Sequence, residues 1–345
     1  MHQTSTIGVD LAKNVIAVVR LSKSGKLSHS KELSRRKFRD YLATQKSSLV
    51  AFEACATAHY WSRVARTFGH ETKILPALSV APFRQGHKTD VNDALAVAEA
   101  ANRPNIKEAP FKTLDQQAIQ AIQRSRDLLV SERTTLSNHI RGILLEFGFA
   151  IRQGFHALHT QVPMILEDGE NDLPDNYRQT LNLLYTRLIN LREDIQQMDR
   201  QIDLQIKQHE PCSRLTALEG VGRISAVLLY STLGTGEAFK NGREYSAYLG
   251  LTPKQYSSGG KVNLVGISKH IANKRLRSIL IQGARAYIHR AKIGDSPKDR
   301  WLLALVERAG AGKAAVALAN KNVRTAWALL TQGTEYQKTY CPQFL

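Results

Sequence analysis

The sequence predicts an α/β domain at the N-terminus, a long α-helical middle and a mainly α-helical C-terminal domain. Three observations carry that reading. Short β-branched runs alternate with amphipathic segments over the first hundred residues. A helical period then runs from Leu114 to Phe147 with no proline or glycine before Gly142, and an evenly spaced apolar stripe comes after it. Beyond Pro211 the chain reads as helices punctuated by glycine.

In chain order, Thr6–Asp10 is a short apolar strand, Asn14–Leu21 a second strand rich in β-branched residues, and Lys26–Leu33 a third. Lys13-Asn14 and Ser24-Gly25 are the turns between them. Arg35–Thr44 puts Phe38, Tyr41 and Leu42 on one helical face. Leu49–Glu53 is a buried strand, Tyr60–Phe68 a helix stopped by Gly69, and Thr72–Leu75 a strand ended by Pro76. Val91–Ala101 is an alanine-rich helix with Asp90 at its start. The order β-β-β-α-β-α-β-α is that of the ribonuclease-H fold. In the middle, Thr113 and Gln116 have capping-box spacing. A loop holding Pro163, Gly169 and Pro174 then leads to Leu181, Leu184, Leu188, Leu191, Ile195, Met198 and Ile202, spaced alternately three and four apart. Such a stripe makes either an antiparallel hairpin within the chain or a coiled coil between copies. The predicted boundaries are 1–110 for the α/β domain, 111–210 for the helical hairpin, 211–335 for the C-terminal domain and 336–345 for a tail.

The charge balance narrows the function classes. The 345 residues hold 48 Lys and Arg against 30 Asp and Glu, a net +18. From Pro211 onward there are 20 cationic and 7 anionic side chains, so that segment carries +13 of the total. A surplus of this size predicts a polyanionic partner, because each neutralised phosphate releases condensed counterions. No apolar run reaches the roughly 18 residues that a membrane span needs, and the start lacks a signal-peptide pattern, so no membrane association is expected. Cys55, Cys212 and Cys341 are scattered, which argues against a disulfide framework or a zinc site and for the reducing cytosol.

Two strands end in a carboxylate, Ile7-Gly8-Val9-Asp10 and Val50-Ala51-Phe52-Glu53, and Asp90 and Asp93 share one face of the helix they begin. Taken singly, these are a turn Asp, a strand-ending Glu and helix-capping residues. In a ribonuclease-H topology the first and fourth strands lie side by side and the last helix crosses their ends, so the four would meet. Four carboxylates in one place cannot all ionise without counter-charge. Two Mg²⁺ (or Mn²⁺) ions about 3.5–4 Å apart provide it and clamp a phosphodiester. Lys88 is a candidate phosphate contact.

The C-terminal part offers binding elements. Gly220-Val221-Gly222 precedes an apolar helix, Ile224–Leu233, and resembles the helix-hairpin-helix contact to DNA. Leu251–Lys261 reads as an exposed mobile loop in which serine and tyrosine hydroxyls are candidate nucleophiles and Lys254 and Lys261 candidate phosphate contacts. Lys269, Lys274, Arg275 and Arg277 cluster at the start of an amphipathic helix. Gly310-Ala311-Gly312-Lys313 is followed by Ala314 in helical surroundings and fails the phosphate-loop pattern.

The strings IGVDLAK, AFEACA, KTDVNDA, LEGVGRISA, YLGLTPKQYSSGGK, GISK and ALANKNVRTAWALL resemble, in order and over nearly the whole chain, the DEDD transposases of the insertion-sequence 110 family, 1111 subgroup. The resemblance implies a RuvC-like domain carrying Asp10, Glu53, Asp90 and Asp93 as metal-binding catalytic residues, a coiled-coil middle, and a C-terminal transposase domain whose serine matches Ser258. It further implies a covalent phosphoserine link to DNA formed with a partner subunit's metal site, a guide non-coding RNA, a homo-oligomer between dimer and tetramer, and work in the prokaryotic cytosol and nucleoid. Two departures stand out: Ala54-Cys55-Ala56 follows Glu53 where the family often ends on glycine, and His270-Ile271-Ala272-Asn273 is longer than usual. Ser257 adjoins Ser258, so the nucleophile is open by one residue. The competing readings are a RuvC-like junction-resolving endonuclease that uses water, a non-catalytic nucleic-acid-binding scaffold, and an actin-like sugar kinase. The last needs a duplicated lobe and a glycine-rich nucleotide site that the sequence lacks.

Overall fold

The computed structural model describes residues 4–234, 236–268, 271, 273–291 and 296–337. The chain folds as two compact units: residues 1–113 with 232–277 and 323–333, and residues 114–231 with 278–322 and 334–345.

The first unit opens with β1 (Thr6–Leu11), β2 (Val15–Leu21), β3 (Leu27–Ser34), α1 (Arg35–Thr44), β4 (Leu49–Glu53), α2 (Ala58–Thr67), β5 (Glu71–Leu75), the short α3 (Ala77–Val80), a 3₁₀ turn at Ala81–Phe83, and α4 (Asp90–Ala101). The sheet order is β3-β2-β1-β4-β5. β1, β2 and β3 pair antiparallel, whereas β1, β4 and β5 pair parallel. This mixed sheet is consistent with a ribonuclease-H-like domain. The side-chain period of two sorts the strands between two layers. Ile7, Val9, Val50 and Phe52 pack with Phe38 and Leu42 of α1 and Trp61 of α2. Leu49 and Ala51 pack on the other face against Ala96, Val97 and Ala100 of α4. Ser34 caps α1 by accepting from the Lys37 amide. α2 begins at Ala58, earlier than its periodicity suggests, because Thr57 turns the chain at φ 71°, the one non-glycine among the described residues with a left-handed backbone.

The helical remainder runs through α5 (Leu114–Glu146), α6 (Phe155–Glu167), α7 (Asp175–Gln208), α8 (Glu210–Leu215), α9 (Arg223–Leu233) and α10 (Gly242–Tyr248). After the strands β6 (Pro253–Ser258) and β7 (Lys261–Ile267) come α11 (Lys274–Ala291), α12 (Pro297–Ala309) and α13 (Ala311–Gln332). In the second unit α5 and α7 run antiparallel, with ion pairs Arg126–Asp199 and Arg187–Glu132 across them. Leu181 and Leu188 of the α7 stripe pack with Ile140 and Leu144 of α5 and with Leu158 and Val162 of α6. Helix α6 corrects the loop expected around Pro163. Proline lacks the N–H that would bond to the His159 carbonyl four residues back, and the Tyr185 hydroxyl donates to that carbonyl instead, at 3.2 Å.

A second correction concerns the expected mobile loop at Leu251–Lys261. It is a β-hairpin: β6 and β7 pair antiparallel around Gly259-Gly260, whose φ values of 56° and 78° suit the tight turn a twisted hairpin prefers. Among the described residues no helix is long and apolar enough to cross a membrane.

Candidate active site

The pairing of β1 with β4 brings the first two carboxylates together. Val9 lies opposite Phe52 in the parallel register, so Asp10 and Glu53 are the next residues on neighbouring strands. Asp10 shares its face with Gly8, and Glu53 shares its face with Leu49 and Ala51, so both turn towards α4. Helix α4 approaches closely because Gly8 has no side chain: a Cβ there would stand 2.2 Å from the Ala94 carbonyl oxygen and 2.6 Å from the Ala98 methyl. Asp93 immediately precedes Ala94, so this contact sets Asp93 over the end of β1. Neither Asp90 nor Asp93 caps the helix. Thr89 does so, accepting from the Asn92 amide at 3.2 Å, while the Asn92 side chain donates to the His87 carbonyl.

Electrostatics register the same gathering. Burial, and then the charges of Asp93, Asp90 and Glu53, hold the Asp10 carboxyl above its ordinary range. Cys55, two residues past Glu53, has its thiol pushed up to about 11 by burial and by the charges of Glu53 and Asp10. Arg84, between the 3₁₀ turn and α4, is ion-paired with Asp93. The pair is a charge contact without an aligned hydrogen bond, since Asp93 Oδ1 is buried and receives none. Asp93, ion-paired but without an aligned hydrogen bond on its buried Oδ1, and three further carboxylates make a donor set of the chemistry a divalent cation takes. Among the described residues, however, no three His, Cys, Asp or Glu side chains stand close enough to grip one ion.

In the β6–β7 hairpin Ser258 pairs with Lys261, Tyr256 with Asn263 and Lys254 with Val265, whereas Ser257 pairs with Val262 and Gln255 with Leu264. Directly opposed residues share a face. One face therefore carries Ser258, Lys261, Tyr256, Asn263, Lys254 and Val265, and the other Ser257, Val262, Gln255 and Leu264. Gln255 Nε2 donates to Ser257 Oγ at 2.7 Å. Tyr256, Val262 and Leu264 are each about 60% exposed or more.

Residues 7–149 match the family DEDD_Tnp_IS110, described as a transposase, and residues 212–299 match the Transposase IS116/IS110/IS902 family. The chain is 38% identical over 337 residues to the transposase for insertion sequence element IS1111A of Coxiella burnetii, covering 98% of this chain and 92% of that one. It is 39% identical over 334 residues to a probable family 20 transposase of Pseudomonas aeruginosa, covering 96% and 98%. It is 36% identical over 338 residues to the transposase for IS1328 of Yersinia enterocolitica, covering 98% and 100%. The chain belongs to the IS110/IS116/IS902 family of transposases.

The two family matches divide the sequence-predicted residues of this transposase. Asp10, Glu53, Lys88, Asp90 and Asp93 fall in the first, and Gly220, Gly222, Lys254, Ser258, Lys261, Lys269, Lys274, Arg275 and Arg277 in the second. Lys88, Lys261, Lys274 and Arg275 are exposed and Lys254 is half-buried. Lys269 lies outside the described residues. Arg277 turns inward: its Nη1 donates to the carbonyls of Gly250 and Ser268, tying together the two ends of the hairpin. Gly220, at φ +79°, packs backbone to backbone on Gly283, where a Cβ on Gly283 would stand 2.0 Å from the Gly220 carbonyl oxygen. Gly222 has open space around it.

Sequence reasoning missed Arg84, Gly8 and the pair Glu219–Lys298. Gly8 could have been found, since it alternates with Asp10 on one strand face. An arginine in a polar stretch carries no spacing signature, and residues 219 and 298 are joined only by the tertiary fold. Burial favours the protonated form of Glu219, but the Lys298 ammonium and the Tyr336 hydroxyl, both donating to its Oε2, outweigh that and hold the carboxyl below its usual range.

Proposed function

We propose that this transposase cuts and rejoins DNA for insertion-sequence mobility by a metal-dependent mechanism. Asp10, Glu53, Asp90 and Asp93 hold two divalent cations, Mg²⁺ or Mn²⁺, and Ser258 is the nucleophile. One observation supports the reading above the others: the β1–β4 register sets Asp10 beside Glu53, and the close approach of Ala94 to Gly8 sets Asp93 over the end of β1. Bound ions would neutralise these carboxylates, favour the serine alkoxide and offset charge on the attacked phosphate.

The residues divide the remaining work. Ser258 Oγ attacks phosphorus; the Oγ–P bond forms as the bond to one deoxyribose oxygen breaks, that oxygen takes up a proton, and the serine proton leaves to a carboxylate or water. Lys254 and Lys261 lie on the Ser258 face and balance phosphate charge. Religation reverses the step on a second DNA end. Lys88, Lys269, Lys274 and Arg275 extend the phosphate contacts, Arg277 holds the hairpin that presents the serine, and the Gly220–Gly222 turn serves as a helix-hairpin-helix-like DNA contact. The α5–α7 hairpin, with its Leu181–Ile202 stripe, acts as a coiled coil, and copies of the chain join into a dimer or tetramer. The element's non-coding RNA guides the choice of DNA, and the protein works in the cytoplasm. Residues 1–110, 111–210 and 211–335 form the catalytic, helical and serine-bearing parts, and 336–345 form the tail.

The test is denaturing electrophoresis of the full chain with labelled element-end DNA, the element's RNA and Mg²⁺. Wild type gives a protein–DNA adduct, whereas Ser258→Ala and Asp10→Ala give none. Strand cleavage by Ser258→Ala at the wild-type rate would mean that water is the nucleophile, and products unchanged in Asp10→Ala would remove the carboxylates from the chemistry.

A further inference from the structure

The proposed reading leaves Arg84 without a role, although it is the one cation ion-paired to the acidic group among the described residues. Its position is fixed from both sides. On the N-terminal side the 3₁₀ turn Ala81–Phe83 ends with the Arg84 amide bonded to the Ala81 carbonyl at 3.2 Å. On the C-terminal side Gly86, at φ +71°, reverses the chain towards Thr89, the cap of α4. The guanidinium thus reaches Asp93 from the approach to the site, where it keeps 34% of its exposure while Asp93 keeps 14%. Exposed His87 and Lys88 follow it in the chain. Asp93 Oδ1, buried and lacking an aligned donor, is held by charge alone. That is a poor permanent partnership for a buried carboxylate oxygen, because its desolvation is only partly offset.

We propose that Arg84 is the resident counter-ion of the four-carboxylate site. It neutralises Asp93 while the site is free of metal, yields to a divalent cation, and then turns its guanidinium to a DNA phosphate at the rim. The inference rests on the reading of Asp10, Glu53, Asp90 and Asp93 as metal ligands. Two positive groups cannot share Asp93 without repulsion, so metal entry and the Arg84 contact compete. Guanidinium is suited to the second position because its planar fork matches a phosphate as well as a carboxylate.

Metal binding is measured on the full chain without DNA, as the loss of the free Mn²⁺ signal in electron paramagnetic resonance, for wild type, Arg84→Gln, Arg84→Lys and Asp10→Asn. Removing the competitor is expected to tighten Mn²⁺ binding by about three- to tenfold in Arg84→Gln. Arg84→Lys keeps a cation and stays near wild type, which separates charge competition from a damaged fold; Asp10→Asn loses the binding. Equal affinities in wild type and Arg84→Gln, both abolished by Asp10→Asn, would overturn the counter-ion role and leave the metal reading standing, and so would weaker binding in Arg84→Gln. No Asp10-sensitive binding in any variant removes the metal reading and this inference with it. The phosphate role is read by DNA affinity in Ca²⁺ and in chelator. Arg84→Gln is expected to weaken binding about three- to tenfold in Ca²⁺ alone, and an equal loss in both conditions refutes it.

Discussion

Gly8 lies against Ala94 so closely that one methyl group on Gly8 would meet the Ala94 carbonyl oxygen at 2.2 Å. The nearest obstacles are backbone atoms and a second methyl, that of Ala98, so no flexible side chain can give way. The contact matters to the site because it fixes the height of α4 above β1, and with it the distance from Asp93 to Asp10. Gly8→Ala therefore lifts the helix or bends the strand. A cost of about 1–3 kcal/mol is expected in urea denaturation, as for other overpacked cores, together with loss of DNA cleavage out of proportion to the unfolded fraction. Wild-type cleavage by a folded Gly8→Ala would show that the spacing of β1 and α4 is not critical.

Cys55 reports on the carboxylates without taking part in the chemistry. With its thiol pushed up to about 11 from an ordinary 9.0, the thiolate is about a hundredfold scarcer at pH 8 than in an unperturbed cysteine. In chelated protein, iodoacetamide is expected to label the Cys55 peptide correspondingly slowly, read by mass spectrometry. Partial burial of the thiol is the largest single cause and persists, but the Glu53 and Asp10 contributions do not survive neutralisation. Asp10→Asn, or addition of Mg²⁺ to wild type, therefore speeds labelling. A rate indifferent to Mg²⁺ would place the metal away from residues 10 and 53.

In the second unit, Lys298 and Glu219 form an ion pair whose side chains are 7% and 13% exposed, with Asn322 donating to the Glu219 carbonyl at 2.7 Å. Lys298→Met strands the carboxylate and is expected to cost about 3–5 kcal/mol; adding Glu219→Gln recovers much of that, because the stranded charge is gone. The pH dependence follows in sign. The folded-state value of Glu219 lies below its ordinary 4.5, so its stabilisation is complete above that value and is lost as pH falls through the lower, folded value. Acid unfolding of Glu219→Gln should lack this component, and an identical acid limb in the mutant and wild type would contradict it.

The N-terminal fold was legible because its signals are local. Alternation in Ile7–Asp10 and Leu49–Glu53 gave the strands their faces, and a carboxylate at the end of each apolar run pointed to the candidate site. Helix α6 was illegible because Pro163 is a breaker unless something else satisfies the His159 carbonyl, and the Tyr185 hydroxyl that does so is remote in sequence. The serine segment misled by composition. Ser257-Ser258-Gly259-Gly260 reads as a loop, yet paired glycines between Lys254-Gln255-Tyr256 and Val262–Val265 are also a hairpin signal. The Arg84–Asp93 pair was beyond reach, since a charge pair nine residues apart across a turn leaves no periodicity to read.

That hairpin also separates the two adjacent serines. Successive residues of a strand point to opposite faces, so Ser257 and Ser258 cannot serve the same phosphate from one docked geometry. Ser258 lies opposite Lys261 and on the face of Lys254 and Tyr256, whereas Ser257 lies opposite Val262, beside Leu264. Ser257 Oγ is already engaged by Gln255, and its apolar surroundings are poor company for a phosphodiester. The register is pinned at the Gly259-Gly260 turn, and a slip of one residue would exchange the faces. Ser257→Ala is therefore expected to retain the protein–DNA adduct and Ser258→Ala to lose it, with peptide mapping placing the phosphodiester on residue 258. An adduct mapped to Ser257, or one that survives Ser258→Ala and disappears in Ser257→Ala, would mean that the opposite face of the hairpin meets DNA and that Lys254 and Lys261 do not stand beside the reacting phosphate.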